Sequence, residues 1–129
     1  MTSRAQILAE IDAITAVAAR LAAIAQRTDA QRKQDLIVAR RELAMRIMTV
    51  MAIGEGYRPL RDHEQLYPEL RQRVSSMRAA IADHQAQWSA VAIDSDDAAY
   101  LSSSAALQAM GRELMAWIRT TVISLPEST

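Results

Sequence analysis

Residues 70–91, LRQRVSSMRAAIADHQAQWSAV, decide the fold class. Leu70, Val74, Met77, Ile81, His84, Trp88 and Val91 recur in alternating steps of four and three, a spacing that keeps all seven side chains on one face of an α-helix. A histidine occupies one position of this otherwise apolar seam. His84 is therefore expected to point into a helical core rather than into water.

The same spacing appears on both sides of this segment. Ser3 and Gln6 have capping-box spacing, and Ile7, Ile11, Ile14, Ala18, Leu21 and Ala25 then line one face of a first helix reaching about Gln26. Thr28 and Gln31 offer a second capping box for a helix whose inner face is Leu36, Ala39, Leu43, Ile47 and Val50, ending near Gly54. Pro68 suits the first turn of the third helix, where its fixed φ helps and its missing N–H costs nothing. Asp94-Ser95-Asp96-Asp97 supplies turn and cap chemistry for a fourth helix carrying Leu101, Leu107, Met110, Leu114, Trp117 or Ile118, and Val122, closed by Pro126. Four long helices of matching length with three connections predict an all-α, antiparallel up-down-up-down four-helix bundle, one domain over residues 1–129.

Composition agrees. The chain has 129 residues, 50% hydrophobic and 23% charged, enough for one continuous core. It has only three glycines and three prolines and no phenylalanine, while Ala, Leu, Met, Gln and Arg, which lose little conformational freedom in helices, are abundant. Fifteen basic and fifteen acidic residues cancel, so no net field gathers nucleic acid or anionic lipid. The absence of cysteine excludes thiol catalysis and zinc–cysteine sites. The apolar stretch from Ile14 to Ala25 is interrupted by Arg20 and is too short for a membrane span, and no signal-peptide pattern follows Met1, so a cytoplasmic protein without nucleic-acid or membrane partners is expected.

The connection from Gly54 to Tyr67 is longer than a bundle requires. Two glycines and a proline between Gly54 and Pro59 break helical structure, and the segment carries Tyr57, Arg58, Arg61, Asp62, His63, Glu64 and Tyr67. Long, decorated loops often hold binding residues, which makes Tyr57, Arg58, Arg61, His63 and Tyr67 the candidate contact surface.

Leu66-Tyr67-Pro68-Glu69-Leu70, followed by Asp83-His84 on a helix and a last helix ending in Leu125-Pro126, resembles the hemerythrin-like (HHE) family over almost the whole chain. The resemblance implies the four-helix layout and, in that family, histidines and carboxylates from all four helices around two irons. His84 matches the family's third-helix histidine position. The other ligand positions are replaced: Ile11 follows Glu10 in helix one, Met51 with Glu55 stands at the second-helix position, and Trp117 and Thr121 occupy the fourth. A second alignment, on Tyr67-Pro68, puts Gly56 near the second-helix histidine position. Such a site needs roughly half a dozen nitrogen and oxygen ligands, and the chain owns only His63 and His84. The expectation is no metal; if one binds, His84, His63 and Glu55 are its candidates.

Other features have plain structural readings. His84 is expected to be a neutral core histidine hydrogen-bonded to a neighbouring helix or to a trapped water, and His63, between Asp62 and Glu64, a solvated loop residue. Methionines at 45, 48, 51, 77, 110 and 115 supply bulk in place of phenylalanine. Arg32, Lys33, Arg40, Arg41 and Arg46 read as the solvated face of helix two, and Ser102-Ser103-Ser104 shows no nucleophile–base arrangement. No catalytic constellation appears. The sequence thus predicts a non-enzymatic, metal-free hemerythrin-like bundle acting as a binding or regulatory module without cofactor. It would bind a protein partner or associate with itself along a stripe such as Ile37, Ala44, Met48 and Met51. The alternative is a remodelled iron or haem protein that senses oxygen, nitric oxide or redox state through His84.

Overall fold

In a computed structural model that describes residues 2–126, the chain is all-helical, with no strand among the described residues. α1 covers Arg4–Ala25, α2 Arg32–Gly56, α3 Arg58–Arg61, α4 Leu66–Gln87 and α5 Asp97–Ser124. The four long helices fall where the apolar spacing places them. α3 is a single turn inside the segment expected to be a loop.

The helix ends follow local chemistry, with one exception to the expected pattern. Ser3 Oγ accepts from the Gln6 amide at 3.2 Å while the Gln6 side chain accepts from the Ser3 amide at 2.7 Å, a complete capping box. Asp96 caps α5 by accepting from the Ala99 amide at 3.1 Å. The box expected from Thr28 and Gln31 does not form: Gln31 is the residue before α2 and contributes no side-chain cap. Asp29 instead accepts from the Gln31 amide at 3.0 Å, and Arg27 holds both Asp29 and Asp35 at 2.7 Å, so an ion-paired turn replaces the hydroxyl cap.

Contacts between the long helices define their neighbours. α1 packs along α2 and α5, α4 packs along α5, and α2 meets α4 over a shorter stretch. Arg46 reaches Glu10 at 3.3 Å, Arg20 pairs with Glu42, and Arg119 reaches Asp12 at 2.7 Å. The Arg73 guanidinium lies 4.7 Å from the centre of the Trp117 ring. Solvent-exposed ion pairs contribute about 0–1 kcal/mol each, so the interior decides the fold.

Two apolar clusters make up that interior. The larger joins Ile7, Ile11, Ile14 and Val17 of α1 to Leu43, Ile47 and Val50 of α2, Leu60 of α3, Leu70, Val74 and Met77 of α4, and Leu114, Ile118 and Val122 of α5. The smaller gathers Ile24, Ala25, Leu36, Ala39, Trp88, Ile93 and Tyr100 around the α1–α2 turn and the link from α4 to α5. The seam of α4 stops one step short of expectation. Trp88 leaves helical geometry at φ −117°, ψ 63°, so Val91 swings outward to 82% exposure and Ile93, fully buried, fills the core instead. Among the described residues no helix is long and apolar enough to cross a membrane.

Candidate functional site

The Gly54–Tyr67 segment turns inward where a contact loop was expected. α2 continues to Gly56, and Gly54 sits so close to α4 that an added Cβ would stand 2.9 Å from Leu70 Cδ2. Tyr57, expected on the contact surface, is 0% exposed, and its hydroxyl donates to the Pro126 carbonyl at 2.9 Å. An aromatic ring beside two glycines finds more apolar area inside than outside, and its O–H still finds a partner. His63 is used locally as well: its Nδ1 accepts from the Gln65 and Leu66 amides at 3.2 and 3.1 Å, capping α4. Tyr67 donates to Glu55 at 3.0 Å. Of the five residues expected on the contact surface, Arg58 and Arg61 are exposed, both beside Asp62. The segment is a packed corner rather than a free arm.

The candidate metal ligands do not converge. His84 lies 18 residues beyond Leu66, ~27 Å along α4 from the end that carries His63 and Glu55. Trp117 packs on Arg73, eleven residues before His84, so the family-like positions Trp117 and His84 stand ~16 Å apart along the same axis. Among the described residues no group of three or more His, Asp or Glu side chains is placed to hold a metal ion. The stripe suggested for self-association is also divided: Ile37 and Met51 are half-buried, whereas Met48 faces outward with Val38 and Met45.

A polar cluster forms instead where α4 and α5 meet α2. His84 Nδ1 lies 2.7 Å from Ser103 Oγ, and the His84 ring stacks on Tyr100 with centroids 5.9 Å apart and planes inclined by 23°. Burial, with the Arg40 charge adding to it, holds the His84 imidazole below its ordinary range, so it is neutral at pH 7. Trp88 tilts against the same Tyr100 at 5.8 Å, and the Arg32 guanidinium lies 5.4 Å from its ring centre. Arg32, read as a solvated cation, is 5% exposed. It donates to the Ile24 and Ala25 carbonyls at the end of α1, at 3.3 and 3.0 Å, and to Asp94 at 3.1 Å. Both carbonyls lie in the last turn of α1, where Ile24 also accepts from the Arg27 amide at 3.1 Å, and a cation there suits the negative end of the helix.

Arg40 differs from Arg32. It is half-buried, no described carboxylate pairs with it, and its Nη2 atom is buried with no hydrogen-bond partner. Desolvation pushes its guanidinium down from the ordinary value, and the nearby Tyr100 opposes the shift only in part. Arg40, His84, Gln85, Tyr100 and Ser104 border a cavity of about 20 Å³, enough for about one water molecule. Leu21, Leu43, Leu107 and Gln108 form a wall shared with a second, almost wholly apolar chamber of about 80 Å³. Its further walls include Ile14, Ala18, Met77, Gly111 and Met115, and the exposed Thr15 and Arg112 also border it.

The chamber has a cause in the sequence. Along α5, Tyr100, Ser104, Leu107, Gly111, Leu114 and Ile118 follow the four-three spacing, and along α1 so do Ile14, Ala18 and Leu21. Ala18, Ser104 and Gly111 are the small members of these seams, and the facing helices do not collapse onto them. Arg40 was legible in the same way: Leu36, Arg40, Leu43 and Ile47 step by four, three and four, placing a cation in an apolar seam as His84 is placed in its own. The clustering of five basic residues on α2 masked that spacing. No family model matches the chain, and no curated protein or solved structure matches it.

Proposed function

We propose that the chain is a single-domain, non-enzymatic binding module whose four long helices close as an antiparallel up-down-up-down bundle around a site for a small ligand. The observation that carries this reading is the 80 Å³ apolar chamber bounded by Ala18, Met77, Gly111 and Met115. Interiors pack to the density of organic crystals, so an unfilled apolar hollow of this size leaves its lining side chains short of contacts. A ligand that fills the chamber recovers that loss and shifts the protein toward its bound state. On this reading the likeness to the hemerythrin-like family extends to helix order, and an apolar chamber serves where that family holds metal.

Butan-1-ol is a direct probe. Its titration into the protein should shift the methyl resonances of Met77 and Met115, which line the chamber, and raise the melting temperature. Gly111→Leu should abolish both effects by filling the space. Unshifted Met77 and Met115 methyls at saturating alcohol would remove the basis of the reading.

A further inference from the structure

Gln34, Val38, Arg41, Met45, Met48, Ala52 and Glu55 recur along α2 in alternating steps of four and three, and every one of them is exposed. They form a second seam, on the side of α2 away from Leu43 and Ile47, which face the core and the chamber. Among the described residues five large apolar side chains are exposed, and three of them, Val38, Met45 and Met48, stand on this one strip. Apolar residues scattered singly over a surface need no explanation, but a strip of them at heptad spacing does. The strip is also charged, with opposite signs. Arg41 precedes the stretch from Met45 to Ala52 and has no partner among the described residues, while Glu55 follows it and accepts from Tyr67 through one oxygen.

We infer that this strip is the contact surface of a homodimer, in which α2 of one copy lies antiparallel against α2 of a second, across a two-fold axis between Met45 and Met48. The inference is independent of the ligand chamber, which lies on the other side of the helix. Charge selects the occupant. A strip with a cation before its apolar stretch and an anion after it complements itself when turned end for end. Arg41 then comes within a turn of Glu55 of the second copy, twice in the dimer, whereas parallel alignment would set Arg41 on Arg41 and Glu55 on Glu55. The same turn sets Met45 of one copy on Met48 of the other, and brings Ala44 opposite the half-buried Met51, one heptad apart on the flank of the strip. The two helix dipoles oppose each other as well. Fifteen acids and fifteen bases cancel in each chain, so no net charge holds two copies apart. Length sets the strength. Gln34 and Glu55 lie 21 residues apart, ~32 Å along α2. One helix pair of that length is smaller than the ~1,600 Å² of a standard stable interface, so the dimer is reversible, with a Kd on the order of 100 μM.

Sedimentation velocity of the full chain between ~10 μM and ~1 mM brackets that affinity. The expected result is a monomer at the low end and a dimer at the high end. Met45→Glu and Met48→Glu, both at exposed helical positions, should leave circular dichroism and melting temperature at low concentration unchanged and remove the dimer. Arg41→Glu alone and Glu55→Lys alone should each weaken it about tenfold, because attraction becomes repulsion at two places. An equal mixture of these two variants should recover most of the parent affinity, since a mixed pair restores opposite charge at both contacts. A monomer throughout the range overturns the proposal. A dimer that survives both Met45→Glu and Met48→Glu overturns it too, because the contact then lies elsewhere. A dimer removed by those changes but indifferent to Arg41→Glu and Glu55→Lys overturns the antiparallel arrangement.

Discussion

His84 Nδ1 and Ser103 Oγ meet at 2.7 Å across the contact between α4 and α5, which ties the one histidine of the α4 seam to a serine read as unremarkable in the sequence. The bond satisfies one ring nitrogen in a half-buried setting where an imidazolium is poorly solvated.

A pH dependence of stability follows. Burial and the Arg40 charge hold the folded imidazole below its ordinary 6.5, whereas the unfolded chain returns it to that value. Between the folded pKa and 6.5 the unfolded chain binds more protons, so stability rises with pH across this window. The contribution is complete above 6.5 and is lost as pH falls through the folded value. Asp29 titrates separately, its carboxyl lowered to about 2 by Arg27. Urea unfolding at about pH 7.5 and about pH 5.5 should show a drop in stability that is smaller in His84→Gln.

Gly111→Ala should stabilise the protein by about 1 kcal/mol, because alanine replaces glycine in the interior of α5. The added methyl would meet Met77 Cε at 3.6 Å, an ordinary contact, and would occupy part of the chamber. Denaturant unfolding of the two proteins measures the difference, and a loss of stability would contradict the open space beside Gly111.

Tyr57→Phe removes the hydroxyl that donates to Pro126 and should cost about 1 kcal/mol, while Tyr57→Ala should cost about 3–5 kcal/mol through the cavity it leaves. Arg58→Ala and Arg61→Ala, on the exposed side of the same corner, should stay within about 0.5 kcal/mol of the parent. Equal costs at all three positions would contradict the inward placement of Tyr57.

Arg32→Met keeps much of the side-chain volume but leaves the Ile24 and Ala25 carbonyls without the guanidinium, at a cost of about 1–3 kcal/mol. Amide hydrogen exchange should quicken at the end of α1 and in the first turn of α2 before it changes elsewhere.

Periodicity alone determined the four long helices, because a strip of apolar side chains at four-three spacing can leave water only when the backbone is helical. The Ser3 and Asp96 caps were legible for the same local reason, since each involves residues three apart. Whether Thr28 or Asp29 shapes the start of α2 depended on Arg27 and Asp35 converging on the turn. Tertiary structure also decided that Tyr57 packs inside while Val91 turns out, and that His63 and His84 serve opposite ends of α4. Above all it decided that Arg40 faces empty space. Whether a charge in a seam finds a partner, and whether small residues on two helices leave a void, depends on which layers of α1, α2, α4 and α5 come level, and that is settled only when the helices pack.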